Sequence, residues 1–179
     1  MLNFLPVALV FASSLGLFFS APKEALPVGQ KFKVVVSVAS ENRTTLGADA
    51  VLTYDPRILT AIKIIPGKIY PLYPENLQDI DNTHGRLSFS GTVGFNKPQT
   101  ANGVLGEIYF RSKKEGQIAL AFDWMPNTTS DSNLVPDFGG LDLLTAKPPD
   151  TQLTFRQPSF LEKILIKLQW LFSFEYLQF

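Results

Sequence analysis

Asp79, Asp81 and His84, the only histidine of the chain, lie within one short stretch and set two carboxylates beside an imidazole. Such a set is able to exchange protons as a general acid and base. The residues between them argue for something plainer. Asn82, Thr83 and Gly85 join Asp and His in what a reverse turn selects, because Asx side chains bond their own backbone and glycine accepts positive φ. Taken as a calcium loop from Asp79, the stretch puts His84 where a glycine must turn sharply and Ser90 where a bidentate glutamate belongs.

Four later carboxylates, Asp123, Asp131, Asp137 and Asp142, carry enough oxygen for a hard cation, yet nothing in their spacing makes them converge. One histidine and no cysteine exclude multi-histidine and thiolate zinc sites. No Gly-x-Ser-x-Gly elbow and no glycine-rich phosphate loop occurs. Asn42-Arg43-Thr44 and Asn127-Thr128-Thr129 fit the glycosylation acceptor and mark surface loops. We therefore expect no catalytic residue, no metal ligand, no cofactor and no enzymatic activity.

Composition bounds what such a chain is able to build. Its 179 residues, 45% of them hydrophobic, suffice for one domain with a real core. Sixteen basic side chains balance sixteen acidic ones, so no long-range field exists to hold nucleic acid. Without cysteine there is no disulfide framework, and an exported protein of this kind must rely on core packing.

The elements that would position any site read as strands. Ala48, Ala50, Leu52 and Tyr54 alternate with Gly47, Asp49, Val51 and Thr53, and Asp55-Pro56 then forces a corner before the apolar run from Ile58 to Ile64. Lys31 to Ala39 alternates most cleanly, with Phe32, Val34, Val36 and Val38 inward. A polar loop over residues 40–45 is expected to separate these two strands. Residues 66–74 carry three prolines and suit an edge strand with loop. Further strands are expected over residues 14–20, 85–94, 104–111 and 117–124, with a last pair over 141–145 and 151–155. With no helical period between Leu15 and Phe155, this all-β pattern predicts a two-sheet sandwich over residues 13–155.

The two ends differ from this body. Residues 1–12 form an apolar block ending in Val10-Phe11-Ala12, which fits a signal peptide with cleavage after Ala12, although no lysine or arginine precedes Lys23. An exported, extracellular or cell-surface location follows as an expectation. Residues 156–179 form a second unit. Ser159 and Glu162 make a capping box, and Phe160, Leu161, Ile164, Leu165, Leu168, Leu171 and Phe172 share one arc of an amphipathic helix. That helix is too short in apolar residues to span a bilayer, so residues 159–179 either lie on a membrane surface or pack on the sandwich.

Several segments in order resemble cohesin modules and their carbohydrate-binding relatives. They are Pro27-Val28-Gly29-Gln30, the strand and Tyr-Asp-Pro corner from Gly47 to Pro56, Gly103 to Phe110, and Ser130-Asp131-Ser132-Asn133-Leu134-Val135. The resemblance implies a nine-stranded jelly-roll β-sandwich. It also implies assembly with a dockerin-type protein through one sheet face. Alternation that sends Leu52, Leu87, Phe89, Ile118, Leu120 and Phe122 inward turns Asp49, Val51, Thr53, Arg86, Ser88, Ser90, Ala119 and Ala121 outward. Those outward residues are small or mildly polar and would form a level contact surface. By resemblance Asp49 matches a contact aspartate of the family, while Gly47 stands where the family often has asparagine. The alternative is a polysaccharide-binding module at the cell surface, for which Tyr70, Tyr73 and Trp124 are the candidate aromatics.

Overall fold

The computed structural model describes residues 14–95, 97–138 and 142–174. Among these, the order is β1 (Gly16–Ser20), β2 (Leu26–Pro27), β3 (Lys31–Thr53), β4 (Leu59–Pro66), β5 (Asp79–Asp81), β6 (Arg86–Thr92), β7 (Gln99–Ser112), β8 (Gly116–Phe122), β9 (Asn133–Pro136), β10 (Thr151–Arg156) and α1 (Phe160–Phe174). The expected segment at residues 1–12 lies outside the described residues.

β3 organises the fold, because its two halves lie in different layers. Its first half pairs with β1 and β7, and β7 pairs with β4. Its second half pairs with β6, β8 and β9; β5 extends β6, while β10 and β2 extend β8. Residues 40–45, expected as a loop, stay extended while the register with β7 slips between Ala39 and Thr44 and Glu41 adopts φ 53°. A non-glycine residue there is uncommon, so the break needs support. Side chains supply it: Asn102 Oδ1 accepts the Ser40 N–H at 3.1 Å, and Ser40 Oγ accepts the Ala101 N–H at 2.8 Å. Hydrogen bonding therefore joins the two layers of the sandwich into one ten-stranded sheet bent over on itself.

The core lies between the layers. Val34, Val36 and Val38 from the first half of β3 face the same interior as Ala48, Ala50 and Leu52 from the second, all buried. Leu87, Phe89, Leu120 and Phe122 are buried as alternation requires. Rings from opposite layers meet there: Phe19 stacks on Phe122 at 4.1 Å, and Tyr54 sets its edge to Phe110 at 5.6 Å.

Three local readings change. The proline-rich stretch after Pro66 forms no edge strand and keeps only the Leu72–Thr92 bridge, since proline nitrogens donate nothing to a ladder. Residues 142–145 are not a strand either, and Asn133–Pro136, outside the expected strands, is β9. β9 forms because its partner, Thr45 to Asp49 of β3, still has a free edge past the end of β8. The corner after Tyr54 holds as expected. Asp55 Oδ1 accepts the Arg57 N–H at 2.8 Å, and the Asp55 carbonyl accepts the Ile58 and Leu59 N–H groups.

α1 begins with its capping box formed. Glu162 Oε2 accepts the Ser159 N–H at 2.7 Å, Ser159 Oγ accepts the Glu162 N–H at 3.4 Å, and Arg156 adds two bonds to the same carboxylate. Among the described residues no helix is long and apolar enough to cross a membrane.

Candidate partner-binding face

Register, more than alternation alone, assembles the outward face of the second layer. Asp49 stands opposite Ser90, Val51 opposite Ser88 and Thr53 opposite Arg86, while Ala121 faces Thr53 from the other side. Asp79 of β5 continues the Ser88 row. Seven of the eight residues expected to point outward are partly or fully exposed: Asp49, Thr53, Arg86, Ser88, Ser90, Ala119 and Ala121.

Val51 is the exception, at 6% exposure. It points away from the core, but the chain after β8 closes over it. Val51 N–H donates to Ser132 Oγ at 3.0 Å, and that hydroxyl donates to the Val51 carbonyl at 2.9 Å. The Asp123 N–H bonds the Val51 carbonyl as well, at 2.8 Å. Ser132 thus fills the gap in the β3 edge between the end of β8 and the start of β9.

The expected level surface is consequently a trough. Val51, Ser88 and Asp49 line it, with Asn76 and Leu77 on one side and Thr129, Ser130 and Asp131 on the other; its volume is about 300 Å³. Arg86 ties one rim down, reaching the Ser130 carbonyl at 3.4 Å and lying 3.7 Å from the Asp123 carboxylate. Asp131 is buried, accepts the Met125 N–H through Oδ2, and leaves Oδ1 without a partner. The rims escape a sequence reading because turn composition marks a loop without saying which way it folds.

Asp49 sits half-buried on the floor of the trough. Burial pushes its carboxyl above the ordinary carboxylate range; the Ser90 hydroxyl, donating at 2.5 Å, works against this, and the charge of Asp142 adds to it. Neighbouring Gly47 has no space for a side chain, since a Cβ there would lie 2.7 Å from the Gly91 carbonyl of β6. The asparagine often found at that position in the resembling family would force β3 and β6 apart.

The other candidates dissolve into local structure. Tyr70 is buried at 3% exposure and its hydroxyl bonds Thr45 Oγ1 at 2.8 Å, so it offers no stacking surface. Tyr73 is half-buried against the core beside it. Trp124 also packs on the core and donates its indole N–H to Asp142 at 3.3 Å. The expected sugar-binding row is not formed, because two of the three rings come from the proline-rich stretch that turns inward. Asp81 serves its turn: Oδ1 accepts the Thr83 and His84 N–H groups, and Oδ2 bonds His84 Nδ1 at 2.5 Å. Contact with His84 holds the Asp81 carboxyl below its usual value. Gly85 closes the same turn at φ 68°, where a Cβ would lie 2.1 Å from the Tyr54 carbonyl. The four later aspartates separate into four tasks. Asp123 faces Arg86, Asp131 holds Met125, Asp137 accepts the Thr44 hydroxyl, and Asp142 accepts the Leu134 and Leu144 N–H groups.

Fold and face define a class before any relative is considered: a β-sandwich module presenting a shallow polar trough on one layer. A family model for the cohesin domain matches residues 19–134, and the chain belongs to that family. No curated protein matches the sequence. Solved structures agree on the fold. The second type II cohesin module from the adaptor ScaA scaffoldin of Acetivibrio cellulolyticus has a TM-score of 0.62 at 14% identity, covering 84% of this chain and 96% of that one. A cohesin module from a family 33 glycoside hydrolase of Clostridium perfringens has a TM-score of 0.61 at 8% identity, over 80% of this chain and 98% of its own. The third cohesin of ScaC from Acetivibrio cellulolyticus, solved in complex with the ScaB dockerin, has a TM-score of 0.60 at 13% identity, over 78% and 99%.

Proposed function

We propose that this chain is a non-catalytic, exported assembly module that takes a dockerin-type helical partner into the trough formed by β5, β6, the second half of β3 and the loop after β8. The supporting observation is the register that brings Asp49, Ser90, Ser88, Thr53 and Arg86 side by side as short or already tethered side chains. A helix pair needs such a place, where its own side chains reach the sheet without displacing long ones. Membership of a family with members solved bound to dockerins supports the same partner class.

Titration calorimetry with type I and type II dockerin modules tests this. Ser88→Arg, which fills the middle of the trough, is expected to weaken binding by roughly 30-fold or more, the scale of a central interface position. Its melting transition should stay close to that of the parent. Absence of binding to any dockerin, or binding indifferent to Ser88→Arg, removes the trough from the interaction.

A further inference from the structure

The C-terminal helix touches the sandwich with its back. On a helical wheel, Ile166 stands nearly opposite the middle of the arc formed by Phe160, Leu161, Ile164, Leu165 and Leu168. Ile166 faces the body, its Cγ2 lying 3.5 Å from where a Cβ on Gly29 would be. Glu162, on the same back side, is turned toward Arg156. The arc stays open to solvent: Phe160 is 76% exposed, Leu161 71% and Leu165 59%. Large apolar side chains gathered on one exposed surface mark an interaction site.

Charge indicates what covers them. Lys167 borders the arc beside Phe160, and Lys163 stands one turn before it and further round the helix; both are exposed, and neither has an acidic partner among the described residues. Arg156 already neutralises Glu162. Among the described residues, a second copy of the helix would bring the same two lysines and no free acid to answer them. The arc is also broader than the narrow seam of a two-helix coil. An apolar arc bordered by lysines is what an interfacial helix presents to lipid, with the alkyl stems buried and the ammonium groups raised to the headgroups. As described, the helix is not long and apolar enough to cross. The geometry points to α1 as an in-plane anchor that lays its apolar arc into an anionic bilayer surface and leaves the trough of the second layer free.

Flotation of the full chain with vesicles tests this, using phosphatidylcholine alone and phosphatidylcholine mixed with phosphatidylglycerol. Retention on the mixed vesicles is expected, falling roughly tenfold when salt screens the lysines. Joint Ile164→Glu and Leu165→Glu should abolish retention without moving the melting transition, since both side chains are exposed. Joint Lys163→Glu and Lys167→Glu should lower affinity for the mixed vesicles by roughly tenfold. No retention on either vesicle, equal retention on both, or retention that survives Ile164→Glu with Leu165→Glu overturns the proposal. So does a concentration-dependent dimer that the same pair of substitutions dissolves. Dockerin titration reads the trough separately and should not change in the helix variants.

Discussion

β3 contributes to both outward faces of the sandwich, and the two faces are built differently. On the first layer long outward side chains knit to one another: Lys33 bonds Glu107 at 2.8 Å, and Lys63 lies over the Tyr109 ring at 4.8 Å. Around the trough of the second layer they are short, and the longest there, Arg86, is drawn aside to the Ser130 carbonyl. A face covered by its own long side chains has little contact area left to offer. A face of serine, threonine, alanine and one half-buried aspartate leaves room for a partner's side chains, and two loops give that room walls. Identical alternation therefore produces a finished surface in one place and a receptive one in the other.

Removing a wall should cost most. In Ser132→Ala the Val51 N–H and carbonyl each lose a buried bond, which is expected to lower stability by about 1–3 kcal/mol in chemical denaturation. Dockerin affinity should fall with it if the rim shapes the trough; unchanged stability would mean that Ser132 holds nothing.

Asp49→Asn probes the floor. A carboxyl raised in the folded state binds more protons folded than unfolded between the two values, so stability declines as pH climbs through that window. The amide substitution removes that loss. Its melting temperature should exceed the parent's at pH 7, and the advantage should vanish below the unfolded value of 3.8. An advantage that persists under acid would assign the effect to packing instead of charge.

The smallest change is expected on the knitted face. Lys33→Ala breaks an exposed ion pair, costs less than about 1 kcal/mol, and should leave dockerin affinity at the parental value. A large loss of binding in this variant would place the interface on the wrong layer.

Much of this was legible in the residues. The inward set from Leu52 to Phe122, the corner at Tyr54-Asp55-Pro56 and the capping box at Ser159 and Glu162 follow from period and local bonding, and all are present. The eight outward residues follow from the same alternation, and seven of them are partly or fully exposed. Val51 points outward as alternation requires, but its burial is not legible, because Ser132, which covers it, lies 81 positions later. Tyr70 was misjudged because an aromatic between prolines reads alike whether it turns out or in; Thr45, on a distant strand, receives its hydroxyl.

What the sequence determined by itself is whatever depends on neighbours along the chain: which side chains share a strand face, where proline and glycine force a turn, how the helix is capped. Tertiary structure alone decided that β3 runs unbroken through both layers, that the loop after β8 folds over Val51, and that α1 meets the body by Ile166. Those outcomes depend on contacts between segments far apart in sequence, whose pairing is selected by complementary edges and volumes that no local pattern encodes.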